Sequence, residues 1–377
     1  MKFFYFFNLF DLIKSLTKSE KRQFKLYTGR LTSNDNAKYL ELFKVLENGK
    51  TYDEKVILNK TSISKKQLAN VRANLYAHLL KSLRLSPHLQ TTPILLREQL
   101  DFATILYNKG LYKQSLKILD KTKQRALELD EKTMAYEIVE FEKAIETQYI
   151  TRSLSSRADN LAISARDLSI QNVLTSKLSN LSLQIYSFLL KNGYAKNEED
   201  YLKTRTYFYY HLPTYEPEHL GFREKLFLYM ANLWYALVIQ DFKSGYKYAT
   251  KWVELFEDNE KMIYAYPVHY LKGKNYLLES LFFLKHHKKF KEELAFFETE
   301  IKEHSIPLNS NTELLIFLYH SANQLHLHFL EGTFKAGEHL VNEIEFKIEK
   351  FKSRLDHHHI VVLYYKIACL YFGMGED

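Results

Sequence analysis

Glycine and proline are scarce: the 377 residues hold 11 Gly and 6 Pro. Tight turns and phosphate loops need backbone at φ > 0, which glycine supplies cheaply. The low counts therefore argue against turn-rich β folds and Rossmann-type nucleotide enzymes, and for long helices with short connections. A single cysteine, Cys369, excludes an intrachain disulfide framework and a thiolate-built zinc site, and fits a reducing cytoplasm. No stretch reaches the ~18 uncharged apolar residues that a membrane span needs. The apolar start, Met1 to Phe10, is broken by Asn8 and followed by Asp11 with no small-residue cleavage site. It is expected to be a first packed helix, not a signal peptide. Walker-type, Gly-x-Ser-x-Gly and His-Glu-x-x-His patterns are all missing, so the expectation is no enzyme and no cofactor.

What is present is apolar surface and unevenly placed charge. Hydrophobic residues make up 46% and aromatics 15% of the chain. The length exceeds one ordinary core, but suits an array in which each unit packs on its neighbours. Residues 1–92 hold 17 Lys/Arg against 7 Asp/Glu, whereas the rest holds 36 against 38. The net positive charge of +8 therefore belongs to the N-terminal quarter, which implies two parts with different surfaces.

In the first part, residues 1–91, Thr17 with Glu20, Thr51 with Glu54 and Ser64 with Gln67 each read as a capping box at a helix start. A further helix is expected from Asn36 to Glu47. In the helix from Ser64 to Leu85, ended by Ser86-Pro87, Leu68, Val71, Leu75 and Leu79 form the buried stripe. Lys66, Lys81 and Arg84 fall on the opposite side, with Ala73 and Ala77 between them, as a candidate basic surface. The segment Asp53 to Arg84 loosely resembles a helix-turn-helix, which would offer these cations to nucleic-acid phosphates. An acidic protein partner, or water alone, fits the same residues.

From residue 92 the pattern repeats. Turns are expected near Gly110, Ser153, Tyr194, Asp241, His286, Glu331 and Met374, about 41 to 47 residues apart. They define six helix pairs. The second and third are Glu131–Thr151 with Ser155–Ile170, and Asn172–Asn192 with Asn197–Leu212. The last three begin at Glu218, Glu260 and Ser310, the final one closing at Ser353. An unpaired helix follows, from Asp356 to Phe372. Tyr107, Gly110, Tyr112 and Ser115 stand where tetratricopeptide repeats place an aromatic, a turn glycine, an aromatic and a small residue; Phe242 with Gly245 and Phe334 with Gly337 repeat part of this. Residues 92–377 resemble a tetratricopeptide array with lengthened helices, and the whole is similar to uncharacterised bacterial helical-repeat proteins, which imply no activity. The resemblance implies an all-α fold, a right-handed α-solenoid of antiparallel helix pairs with an N-terminal helical bundle. It also implies that Tyr112, Ser115, Phe242, Gly245, Phe334 and Gly337 pack the repeats.

The same resemblance implies a concave face that binds a protein or peptide. Tyr207, Tyr209, Tyr210 and Tyr276 are its candidate aromatic anchors, since four consecutive aromatics at 207–210 cannot all face one core. Histidine is concentrated late, 11 of 15 from His269 onward, but no two are three or four apart on one helix. Core-edge or solvated histidines, not metal ligands, are the expectation. The unpaired last helix leads to a further expectation: missing chain beyond Asp377, a partner or a second copy covers its apolar face, which allows a homodimer. The sequence thus supports a cytoplasmic scaffold or adaptor, with a ligand-responsive regulator acting through the basic N-terminal part as the alternative.

Overall fold

Residues 4–29, 36–86, 91–148, 156–352 and 354–375 are described by a computed structural model, and every regular element among them is helical. The expected turn at Ser153, Ser353, Pro87 and the last residues Glu376 and Asp377 lie outside the described residues. No helix among the described residues is long and apolar enough to cross a membrane. The chain divides into two compact units, Met1–Glu98 and Gln99–Asp377.

The first unit holds α1 (Phe4–Ser15), α2 (Lys18–Gly29), α3 (Asn36–Asn48), α4 (Glu54–Lys60) and α5 (Lys65–Arg84). Its core is Ile13, Phe24, Leu42, Phe43, Leu75 and Leu79, each with essentially no exposure. The α2 box forms as expected: the Thr17 N–H donates to Glu20 Oε2 at 2.7 Å, and the Glu20 N–H donates to Thr17 Oγ1 at 3.2 Å. The α4 box does not. Asp53, not Thr51, is the cap, its Oδ1 accepting the Lys55 and Val56 N–H groups at 2.8 and 3.3 Å. A carboxylate adjacent to the first turn is favoured over a hydroxyl two residues earlier, because it meets both orphan amides and the positive end of the helix. At α5 the Ser64 N–H donates to Gln67 Oε1 at 3.3 Å. Leu68, Leu75 and Leu79 are buried there and Val71 is half-buried, while Lys66, Ala73, Ala77, Lys81 and Arg84 are exposed.

In the second unit each helix packs on its neighbours in the chain. The order begins with α6 (Thr92–Asn108), α7 (Tyr112–Glu128), α8 (Lys132–Gln148), α9 (Arg157–Asn192) and α10 (Glu198–His211). A single 3-10 turn, Pro217–His219, leads to α11 (Phe222–Val238) and α12 (Phe242–Glu257). Then come α13 (Glu260–Ala265), α14 (Pro267–Phe283), α15 (His287–Lys302) and α16 (Ser310–Glu331). The order closes with α17 (Phe334–Gly337), α18 (His339–Phe351) and α19 (His357–Met374). The core centres on Trp234 and Trp252, both fully buried and edge-to-face at 6.1 Å.

One turn geometry recurs. The N–H groups of Leu111, Asp241, His286 and Thr333 each bond back five residues, to the carbonyls of Leu106, Ala236, Leu281 and His328 at 2.8 to 3.1 Å. The residue before each donor is left-handed: Gly110 at φ 77°, Gln240 at 61°, Lys285 at 55° and Gly332 at 66°. This is the Schellman termination, which satisfies the last carbonyls of a helix.

Three expected boundaries are corrected. Ser155–Ile170 and Asn172–Asn192 are not separate helices but the single 36-residue α9. No glycine or proline interrupts that stretch. Instead of breaking the helix, Asn172 reaches across to α8, its Nδ2 donating to the Lys132 carbonyl at 3.3 Å. Conversely, Glu260–His286 is two helices, because Pro267 cannot continue α13 and takes the first position of α14. The stretch from Thr333 is likewise split, into α17 and α18. On α19, Val361, Tyr364, Tyr365 and Phe372 face solvent, the last 82% exposed.

Candidate binding surface

Five long helices, α9, α11, α14, α16 and α19, bring polar side chains onto one connected surface. On α14, Lys272, Tyr276 and Glu279 lie at i, i+4 and i+7, one helical face. Lys272 Nζ sits 4.3 Å from the Tyr186 ring centre (α9) and 5.1 Å from that of Trp234 (α11). Burial lowers its pKa, and no carboxylate pairs with it among the described residues. Such a cation is held by ring faces alone. Beside it, His269 is pushed down to about 4, first by burial, then by the Lys272 and Arg223 charges. Burial raises the Tyr186, Tyr276 and Tyr319 hydroxyls.

The far end of this surface is set by α16 and α19. Lys366 Nζ is hydrogen-bonded to His326 Nε2. An ammonium can only donate, so His326 accepts at Nε2 and carries its proton on Nδ1. That Nδ1 is buried without a partner, and the ring stacks on Phe282 at 4.0 Å. Burial and the Lys366 charge hold His326 well below its usual pKa. Burial raises Glu279, against the pull of Lys366. Asn323 Nδ2 donates to Asn275 Oδ1 at 2.9 Å, while the buried Asn323 Oδ1 has no partner. Half-buried donors, acceptors and one unpaired cation, displayed on packed helices, can bind a polar chain.

Other ionic clusters in this unit lie between helices and serve packing. Glu224 of α11 meets Lys132 Nζ at 2.5 Å, and Lys132 also meets Asp130 at 3.1 Å, with Thr175 of α9 hydrogen-bonded to Glu224. Lys123 and Arg157 converge on the fully buried Glu142. Lys274, 2% exposed, faces the carboxylates of Glu257, Glu293 and Glu300 at 3.4 to 3.8 Å.

The four tyrosines named from sequence do not form one group. Only Tyr276 joins the surface above, with its ring edge-to-face on Trp234 at 4.5 Å. Tyr207, Tyr209 and Tyr210 are exposed on α10. The Tyr207 ring lies tilted against His211 at 4.1 Å, and Tyr207 lines a cleft of about 380 Å³ between α9 and α10, with Gln184, Phe188, Lys191 and Lys203. Sequence reasoning missed Tyr186, Lys272, Glu279, Tyr319 and Lys366. A signal was available: polar residues at helical spacing within otherwise apolar helices, as at 272, 276 and 279.

Of the repeat residues, Ser115 is fully buried and its Oγ donates to the Ala103 carbonyl of α6 at 2.8 Å. Tyr112 is half-buried. Phe242 stacks on Phe283 at 4.8 Å, and Phe334 lies against Phe329 and Gly373. Gly337 is tight: a Cβ there would meet Leu370 Cδ1 at 2.9 Å and the His328 ring at 3.0 Å. Gly245 is buried but does not need to be glycine. A Cβ would find Leu233, Leu237 and Ser280 at 3.8 to 3.9 Å, ordinary contact distance.

Family models, curated proteins and solved structures were each compared with the chain, and none matches.

Proposed function

We propose that the chain is a protein- or peptide-binding scaffold, working in the cytoplasm through one face of a right-handed, tetratricopeptide-like solenoid and without a cofactor. The observation that supports this reading most is Lys272, a cation seated on Tyr186 and Trp234 with no carboxylate partner among the described residues. Around it, the phenols of Tyr276 and Tyr319 and the amide of Asn275, held by the buried Asn323, present donors and acceptors at fixed positions. A rigid surface of this kind suits an extended or helical segment that brings its own carboxylates and backbone polar groups. Binding then costs little ordering of the scaffold itself.

Selection of a random-peptide library on the immobilised chain tests the reading. Enriched peptides should bind the parent and lose at least about tenfold in affinity, roughly 1.4 kcal/mol, with Lys272→Met or Tyr276→Phe. Both replacements keep the side-chain volume, so unchanged melting shows that the fold is retained. If no peptide is enriched, or the enriched peptides bind both variants as well as the parent, this surface is not the binding face.

A further inference from the structure

The helix α5 carries Lys65, Lys66, Arg72, Lys81 and Arg84 and no Asp or Glu. Its first turn holds two lysines and no acid, the reverse of what a helix N-terminus favours, because the free amides there already make a positive end. Folding gains nothing from that choice. Lys65, Lys66 and Lys81 are exposed and form no ion pair or hydrogen bond among the described residues.

The neighbouring acids are engaged elsewhere. Glu41 accepts the Ser62 N–H at 2.7 Å and its hydroxyl at 2.9 Å. Glu47 pairs with Lys25 at 3.0 Å and Lys21 at 3.8 Å, while Glu20 and Asp53 cap helices. Lys65, Lys66 and Lys81 are therefore left unneutralised in a region whose first 92 residues hold 17 Lys/Arg against 7 Asp/Glu.

The placement of α5 is as specific as its charge. The short α4, the turn Thr61–Ser64 and the longer α5 follow one another, and the turn is anchored. Ile63 is buried in one cluster with Ile57 and Leu68, Ser62 is tied to Glu41 of α3, and Thr61 Oγ1 donates to the Ile57 carbonyl at 2.8 Å. Outward, Lys66, Asn70, Ala73, Asn74, Ala77 and Lys81 are exposed and recur at helical spacing. The alanines keep this face low, so that a helix can approach base edges closely. Carboxamides are the side chains that pair bidentately with adenine in the major groove.

We propose that α5 is a recognition helix that enters the major groove of duplex DNA, with Lys65, Lys66 and Lys81 on phosphates and Asn70 and Asn74 on base edges. A protein partner would look for an aromatic or large apolar anchor, which the Lys66–Ala77 part of the face lacks. Duplex RNA has a major groove too deep and narrow for a helix. The assignment is independent of the peptide surface proposed for the second unit.

Fluorescence anisotropy of the full chain with a random-sequence DNA duplex, from about 50 to 200 mM salt, is the test. Affinity should fall steeply with salt. Lys65→Glu with Lys66→Glu should weaken binding at least about tenfold and lower the salt slope by about two, near 0.9 for each phosphate that is no longer neutralised. Asn70→Ala with Asn74→Ala should keep affinity for the random pool yet lose the sequence preference that selection from it recovers. The charge-matched pair Lys288→Glu with Lys302→Glu, exposed in the other unit, should change nothing. All these positions are exposed, and a cooperative melt at or above the parent's midpoint confirms folding. The proposal is overturned if the parent does not bind at the lowest salt, if the control pair weakens binding as much, or if duplex RNA or poly-glutamate binds as tightly as DNA. The poly-glutamate result would assign the face to an acidic protein.

Discussion

The two units treat charge in opposite ways. In Met1–Glu98 the core is Leu, Ile and Phe, and the α5 lysines point to solvent. In Gln99–Asp377 ionic groups are drawn between helices, with Glu142, Glu224 and Lys274 at 2% exposure or less. The first unit packs its helices on one small core, whereas the longer second unit has many helix–helix interfaces where acid and base can meet. Such pairs add little net stability, but losing one partner is costly. The second unit should therefore be more sensitive to single charge removals, and the first to changes of its surroundings.

The largest expected break in this contrast is Glu224→Ala. It leaves Lys132 buried with only Asp130 to oppose it and should cost about 3–5 kcal/mol in denaturant unfolding. Joint replacement of the whole cluster, by Lys132→Met, Glu224→Leu and Asp130→Asn, should recover most of that loss. A single-variant cost below about 1 kcal/mol would show that the buried cluster is dispensable.

Next comes acid sensitivity. Folding lowers His269 from 6.5 to about 4, so between those values the unfolded chain takes up a proton that the folded chain refuses. The stability contribution is complete above 6.5 and is lost as pH falls towards 4, about 3 kcal/mol in all. The raised carboxylates Glu142, Glu279 and Glu300 act in the opposite sense, their contribution being lost as pH rises through the folded values. Comparing the parent with His269→Asn isolates the histidine: the variant should lose less stability between neutral pH and pH 4. In the first unit His78 is lowered too, chiefly by burial, and His78→Asn should give the smaller change. Equal changes would erase the difference between the units.

Gly337→Leu should overpack the crossing against Leu370 and His328 and cost about 1–3 kcal/mol in a thermal melt. Gly245→Ala, with room at 3.8 Å, should stabilise by about 0.5–1 kcal/mol through helix propensity. The smallest effect belongs to the first unit. Lys65→Glu with Lys66→Glu should stabilise folding slightly, by up to about 1 kcal/mol, since acids suit a helix N-terminus. A loss of stability there would mean that these lysines serve the fold.

The helices were readable because burial imposes a period. Leu68, Leu75 and Leu79 announce α5, and the buried Leu116, Leu119, Thr122 and Ala126 mark α7 in the same way. Turns were readable near Gly110, Asp241, His286 and Glu331, but a left-handed glycine marks the position only at Gly110 and Gly332. Gln240 and Lys285, with Asp130 and His304, adopt a left-handed φ at a cost of about 1–2 kcal/mol each, so helices also end this way without a glycine to announce it. The continuity of α9 was not readable, because the absence of a breaker at 170–172 is a weaker signal than the presence of one.

For the candidate surface the division is sharper. The sequence by itself determined the all-helical class, the scarcity of turns that makes the helices long, the charge imbalance, and the outward Lys66, Lys81 and Arg84. These follow from local periodicity and composition. Helical spacing links Tyr276 to Lys272 and Glu279, but only the tertiary structure decided that they belong with Tyr186, Tyr319 and Lys366, while Tyr207, Tyr209 and Tyr210 stand apart on α10. Those partners lie on four helices separated by up to 180 residues, from Tyr186 to Lys366. No local pattern links such positions. Their shared desolvation, which lowers lysines and histidines and raises tyrosines and Glu279, arises only when the helices are packed side by side.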